Sequence, residues 1–370
     1  MKIFNHHSNV VEGTSFSRAH TLLTICVCAY FSSGNLLWAQ KDFIAQYDGT
    51  MMGTSVTIKI RSEDGHQLQT QKALEHAVLK MQKLVDLISS WEQTSDTSRI
   101  NQSAGGDPVH VDSHLIRILL KSKEVSDYSK GAFDVTFSSI GKLWKLRPIL
   151  PQIPTEQEIN KALELVDYHL LNINAENNTA QLVKKGMRID LGGIAKGSVI
   201  DQGAKSLLND GFEDFLINAG GDIRVYTSST ETPWPIGITN PRDPKGDVLA
   251  TLSLSGGSVV TSGDYEKTVV IDGKRYHHII NPRTGYPVDH CISVTVLAQD
   301  AETADAFSTA FFVMGPVKGL RLCEKLDGIE AMFIDNQCHV TGSPGFPEIQ
   351  AIQNMMNAQF TNLRDFSGKE

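Results

Sequence analysis

The chain has 370 residues, of which 41% are hydrophobic and 21% charged, with a formal net charge of −8. That composition suits a soluble globular protein with a sizeable core, built as one large domain with insertions or as two of ordinary size. The acidic balance, without any run of Lys and Arg, speaks against nucleic-acid binding, because neutralising phosphates requires a basic face.

The N-terminus differs from the rest. Arg18-Ala19-His20 precedes an apolar stretch over residues 22–31, and the small residue Ala39 follows in Leu37-Trp38-Ala39-Gln40. Basic flank, short apolar core and small residue are the order of a secretory signal. The run falls short of the ~20 residues that cross a bilayer, so residues 1–39 are expected to be a signal peptide or signal anchor. Of the five cysteines, Cys26 and Cys28 lie in this segment. Cys291, Cys323 and Cys338 are too far apart for a metal-type pair and form no disulfide framework, so buried thiols are expected.

Alternation at Val56, Ile58 and Ile60 predicts a half-buried strand. From Gln67 to Ile88, the apolar positions Leu74, Ala77, Val78, Met81, Leu84, Val85 and Ile88 recur at helical spacing. Ser113 is the expected cap of a second helix, carrying Ile116, Leu119 and Leu120 and stopping near Gly131. Thr155 with Glu158 makes a capping box ahead of Ile159, Ala162, Leu163 and Val166. Strands are expected at Met187, Ile189 and Leu191, at Phe215-Leu216-Ile217, and at Ile292, Val294 and Val296. The Ser, Thr, Pro and Gly-rich residues 226–247 read as a hairpin or insertion. The mixture is α+β, with its topology left open.

Four segments carry chemistry, although each taken alone is also compatible with a purely structural role. Asp190-Leu191-Gly192-Gly193-Ile194-Ala195-Lys196-Gly197 turns from a strand into a helix, where glycines and free N–H groups admit a phosphate that Lys196 can reach. Its spacing is neither the dinucleotide-fold nor the Walker pattern. In Glu302-Thr303-Ala304-Asp305-Ala306-Phe307-Ser308-Thr309, a helix would put Asp305 and Thr309 on one face as hard oxygen ligands for Mg²⁺. His278 precedes the tight turn Asn281-Pro282-Arg283-Thr284-Gly285 at a strand end, a reasonable place for a proton acceptor, while His277 faces the other side. Gly131-Ala132-Phe133-Asp134 could hold a nucleotide or plug the core.

The ordered set is more specific than any member. Met52-Gly53-Thr54, Ser90-Trp91 with Arg99-Ile100-Asn101, Gly131-Ala132-Phe133-Asp134 and Asp190 to Gly197 come first. Asn218-Ala219-Gly220-Gly221-Asp222, Trp234 with Gly237-Ile238, and Thr261-Ser262-Gly263-Asp264-Tyr265 follow, then His278 to Gly285 and Ala304 to Thr309. In this order, over residues 45–345, the chain resembles the FAD:protein FMN transferases, or ApbE-like flavin transferases.

The resemblance implies an α+β, T-fold-related architecture of two lobes with a nucleotide cleft between them, spanning residues 40–350 and followed by a C-terminal tail at 351–370. FAD would be the substrate, contacted at Met52, Trp91, Ala132, Phe133, Asp134, Asp190, Lys196 and Ile279. The family often has Tyr where this chain has Trp91, an exchange that keeps stacking and loses a hydroxyl. The family's metal, Mg²⁺ with Mn²⁺ as its substitute, would be held by the Gly193 carbonyl and the Asp305 and Thr309 side chains. His278 matches the position proposed for proton transfer. The expected reaction is attack of an acceptor protein's Thr or Ser hydroxyl on the FMN phosphorus, helped by His278 or Asp305, with loss of AMP. The acceptor would be a subunit of a membrane redox complex, and the enzyme would be periplasmic, at the outer face of the inner membrane. Hydrolysis of FAD to FMN and AMP, or exported flavin binding without catalysis, are the competing expectations; nothing in the sequence fixes the oligomeric state.

Overall fold

The structure, a computed structural model, describes residues 42–356 apart from 64, 147–150, 230, 244–247, 350 and 355. The expected export segment and residues 357–370 lie outside the described residues.

One antiparallel sheet of eight strands organises the described residues. Its strands are β1 (Asp42–Met51), β2 (Thr54–Glu63), β3 (Asp214–Ala219) and β4 (Asp222–Thr227), then β5 (Gly256–Gly263), β6 (Cys291–Ala298), β7 (Glu330–Asp335) and β8 (Val340–Gly342). They lie side by side in chain order, so each strand pairs with its neighbours in this series. The long connection from β2 to β3 carries helices α1 (Gln67–Ile88), α2 (Ser113–Ser129) and α3 (Ala195–Asn209), and α4 (Ala301–Met314) follows β6.

The sheet is buried on both faces. Ile58, Ile60, Ile217, Val260, Val294 and Phe333 join Leu74 and Met81 of α1, Val199 and Leu207 of α3, and Phe307 and Phe311 of α4 in the larger core. Val225, Val259, Met332 and Ile334 pack in a second core with the hairpin Trp234–Thr239/Val248–Leu254. Its first strand falls within residues 226–247, expected as a hairpin or insertion, and its second lies just beyond them. A register shift between Cys291 and Ser293 sends Ile292 to the second core and Val294 to the first, breaking the alternation read from the sequence.

Several expectations hold at residue level. The α1 positions Leu74, Ala77, Met81, Leu84 and Ile88 are buried, and the Thr155–Glu158 capping box forms in both directions. Two corrections have physical causes. The second helix is capped by Asp112, not Ser113: the Asp112 carboxylate accepts from the His114 N–H at 2.8 Å. Residues 187–191 are buried at alternate positions but pair with no strand. The Asn101 side chain instead takes both backbone groups of Ile189, accepting from its N–H at 2.7 Å and donating to its carbonyl at 3.0 Å. Arg188 and Asp190 donate their N–H groups to Ser139 Oγ and the Val135 carbonyl. Alternation reports burial; it does not specify which groups satisfy the backbone.

The chain past residue 350, expected as a tail, is helical at 351–354 and places Ile352 and Met356 in the second core, both 0% exposed. Ile352→Ala should therefore lower the unfolding free energy by about 2–5 kcal/mol in denaturant titrations. An unchanged midpoint would remove this segment from the core.

Candidate active site

The candidate site forms where α3 and α4 begin to cross. Gly197 meets the first turn of α4 so closely that a Cβ there would lie 2.1 Å from the Ala301 carbonyl oxygen. Its N–H donates to Asp305 Oδ2 at 3.0 Å, which fixes one carboxylate oxygen of α4 against the start of α3. Lys196, one residue earlier, extends to Asp222, with Nζ 2.9 Å from Oδ2. Asp222 opens β4 directly after the β3–β4 turn. Gly220 (φ 63) and Gly221 (φ 97) take up the left-handed backbone of that turn, and Asn218 Oδ1 accepts from the Gly221 N–H at 2.9 Å.

Three segments thus pair one ammonium with Asp222 in the neighbourhood of Asp305, two acids withdrawn from water: Asp222 is 1% and Asp305 3% exposed. Burial lowers the proton affinity of Lys196, but Asp222, Asp305 and Glu266 together hold it well above its usual value, so the side chain stays cationic. Burial outweighs the pull of the Lys196 ammonium and holds both carboxyls above the usual carboxylate range, with Asp305 pushing Asp222 further up. Acids held high in this way relieve their burial either by keeping a proton or by meeting a further positive charge.

Thr309 stands one turn beyond Asp305 on α4. An added Cβ on Gly193 would meet Thr309 Oγ1 and Phe133 at 3.1 Å each, so the Gly-Gly turn lies against this hydroxyl. A carboxylate, a hydroxyl and a turn carbonyl are hard oxygen donors of the kind Mg²⁺ or Mn²⁺ takes. Among the described residues no group of three or more His, Cys, Asp and Glu side chains is disposed to hold a metal. A cation here would complete its shell with water or substrate oxygens, which is usual for Mg²⁺ at phosphate sites. The donor set fits the expected metal on those terms.

The two histidines are told apart by their partners. A carbonyl can only accept, so the bond of His277 Nε2 to the Val288 carbonyl at 2.6 Å places its proton on Nε2. Its Nδ1 then accepts from the Ile279 N–H at 3.2 Å, and the ring has no nitrogen left for chemistry. His278 Nδ1 donates to the Glu266 carbonyl at 3.3 Å, which leaves the Nε2 lone pair as its basic site. Burial, helped by Lys267, His277 and Lys196, brings the His278 pKa down to about 4, so the ring is neutral at pH 7.

The remaining expected nucleotide contacts are placed in different ways. Asp190 spends both carboxylate oxygens on the chain, accepting from Ser90 Oγ at 2.5 Å and from the Gly192 N–H at 2.7 Å. It shapes the Gly-Gly turn and tethers the loop carrying Trp91, which is 92% exposed. Asp134 is buried and accepts from the Thr136 N–H and hydroxyl and from the Tyr168 N–H. Ala132 and Phe133 are buried, with the Phe133 ring beside Gly193. Met52 occupies the β1–β2 turn with φ 52, and Ile279 is buried next to His278. A cavity of about 330 Å³ is lined by Gly131, Asp134, Tyr168, His169, Pro282 and Arg283 among others, so the 131–134 and 278–285 segments share one wall.

This arrangement gathers a lysine, buried acids and a Gly-Gly turn on an α+β scaffold, and comparison with known proteins identifies the family. The model of the ApbE family matches residues 52–333, and the chain belongs to that family. A FAD:protein FMN transferase of Klebsiella pneumoniae is 31% identical over 304 residues, covering 81% of this chain and 92% of the relative. One from Treponema pallidum is 30% identical over 310 residues, covering 80% and 85%. Among solved structures, the ApbE protein of Thermotoga maritima superposes with a TM-score of 0.75 at 30% identity, over 84% of this chain and 99% of that one. The flavin transferase ApbE from Vibrio cholerae gives 0.73 at 28% identity, over 84% and 100%. The expected ApbE-like fold is thereby established.

Asp222 and Glu266 join the site without having been assigned a role from the sequence. The available signal for Asp222 was an acid placed directly after two turn glycines, which fixes its backbone but not its partner. The neutral His278 has a consequence for stability. Below about pH 6.5 the unfolded chain binds a proton that the folded site resists down to about pH 4. The contribution is therefore complete above 6.5 and is lost as pH falls towards 4. Thermal melts should show the wild-type protein losing more stability over that interval than His278→Asn; parallel curves would mean that His278 is already charged in the fold.

Proposed function

We propose that the protein is an FAD:protein FMN transferase, which cleaves FAD and joins FMN through a phosphoester bond to a Thr or Ser hydroxyl of an acceptor protein, releasing AMP. The observation that carries this reading is the buried meeting of Lys196, Asp305 and Asp222 beside the Gly193 turn and Thr309. It supplies a cation and hard oxygen donors where a pyrophosphate would bind, in a chain whose relatives bear that activity in their names. Lys196 and the start of α3 bind the phosphates and offset the charge that builds on the phosphorus. Gly193, Asp305 and Thr309 would hold Mg²⁺ or Mn²⁺, which supplies charge neutralisation and alignment of the phosphoryl group when bound. Trp91 stacks on the flavin, and Met52, Ala132, Phe133, Asp134, Asp190 and Ile279 shape the nucleotide cleft. His278 Nε2 takes the proton of the acceptor hydroxyl, since its Nδ1 is committed to the Glu266 carbonyl and the ring is neutral.

Localisation belongs to the same reading. The signal-like pattern of residues 18–39 supports export to the periplasm, and the acceptor would be a membrane redox subunit exposed there.

The test incubates the protein with FAD, Mg²⁺ and a candidate acceptor domain from such a subunit. Mass spectrometry reads the FMN adduct on the acceptor, and chromatography reads AMP. An adduct that EDTA and Asp305→Ala both abolish, and that His278→Asn slows by roughly 10²–10⁴-fold, is expected. AMP and FMN released without an adduct, at the same rate with or without acceptor, would replace transfer by hydrolysis. Full transfer by Asp305→Ala would sink the metal assignment.

A further inference from the structure

We propose that Asp222 is a positioning residue of this site: its buried carboxylate holds the Lys196 ammonium away from Asp305, so that the lysine faces the pyrophosphate and Asp305 stays free for the cation. The proposal rests on the transferase reading.

Three observations carry it. First, the Lys196 side chain is 25% exposed while that of Asp222 is 1% exposed, so the acid lies behind the lysine and the lysine faces the opening. Second, Asp222 Oδ2 has no aligned hydrogen-bond partner, and the Lys196 ammonium at 2.9 Å is its only ion-pair contact among the described residues. A structural carboxylate would normally be satisfied by backbone N–H groups, as Asp134 and Asp190 are. Third, Asp222 is fixed from behind. It follows two glycines in left-handed conformations, and the turn before it is closed by Asn218. A rigid acid therefore anchors the end of a flexible four-carbon stem.

The chemistry explains why the anchor matters. Without it, the acid acting most strongly on the ammonium is Asp305, which already accepts the Gly197 N–H with one oxygen. Pairing there would neutralise the carboxylate that a hard cation needs and would withdraw the lysine from the substrate phosphates. Buried ion pairs contribute little to stability by themselves, so the pair is better explained by the geometry that it imposes.

The test compares Asp222→Asn, Asp222→Glu, Lys196→Met and the double variant Lys196→Met/Asp222→Asn with the wild-type protein. Initial rates of AMP release are measured with FAD, Mg²⁺ and the acceptor domain, and FAD affinity in EDTA is read by flavin fluorescence. Asp222→Asn should lower kcat by about tenfold or more while FAD affinity changes by less than about threefold, because a displaced cation is felt most where charge develops. Asp222→Glu, which keeps the charge but moves it by one methylene, should not restore kcat. The double variant should be no slower than Lys196→Met, and without metal it should melt no lower, since removing Lys196 leaves Asp222 buried without a counter-charge. That comparison still decides if Asp222→Asn alone does not fold. Wild-type kcat in Asp222→Asn, or a double variant in which the two losses multiply, would overturn the proposal. No turnover by the wild-type protein would overturn the functional reading instead.

Discussion

Everything at this site depends on how closely two helices approach. Where α3 passes the start of α4, Gly197 brings its backbone against the Ala301 carbonyl, with no room for a methyl group. The contact is reinforced one turn along. Asp201 of α3 accepts from the Ala301 and Glu302 N–H groups at 3.0 and 2.9 Å and is itself paired with Arg224 of β4. Glu302 is in turn gripped by Arg117 of α2 through both oxygens. The N-terminal turn of α4 is thus held by side chains from α2 and α3, and β4 is tied to the same point. If the helices stood even one methyl group further apart, Lys196 and Gly193 on one side would separate from Asp305 and Thr309 on the other.

That packing creates an electrostatic problem for the acids it buries. Two carboxyls are withdrawn from water, yet a single ammonium stands near them, paired with Asp222. In a medium of low polarity their ionised forms are costly, which is why both carboxyls are held above the usual range, and a divalent cation would favour the ionised forms. On the proposed reading, the nucleotide phosphates would meet the lysine and such a cation. His278 stands apart from this charge balance: it is neutral, oriented through a backbone carbonyl, and keeps one nitrogen lone pair for a proton.

Local features of the fold were legible because local physics decides them. The Thr155–Glu158 capping box, the apolar stripe of α1 and the Asn281 turn all depend on neighbours within a few residues. Residues 187–191 misled for the opposite reason, since Asn101, 88 positions away, supplies what a paired strand would have supplied. In the candidate site, the spacing of Asp305 and Thr309 on one helix was readable, as was the place of Lys196 in the first turn of α3. The Lys196–Asp222 pair was not, because β4 and α3 meet only through tertiary packing. Nor could sequence distinguish His277 from His278 beyond strand parity; hydrogen bonds to the Val288 and Glu266 carbonyls make that distinction.

The measurement closest to the central claim is a crystal structure with FAD and Mn²⁺, with anomalous diffraction recorded at the manganese edge. One strong peak is expected at about 2.0–2.3 Å from the Asp305 carboxylate, the Thr309 hydroxyl and the Gly193 carbonyl, with the pyrophosphate between it and Lys196. Manganese bound away from Asp305, or FAD phosphates bound away from Lys196, would contradict the placement of chemistry at the crossing of α3 and α4.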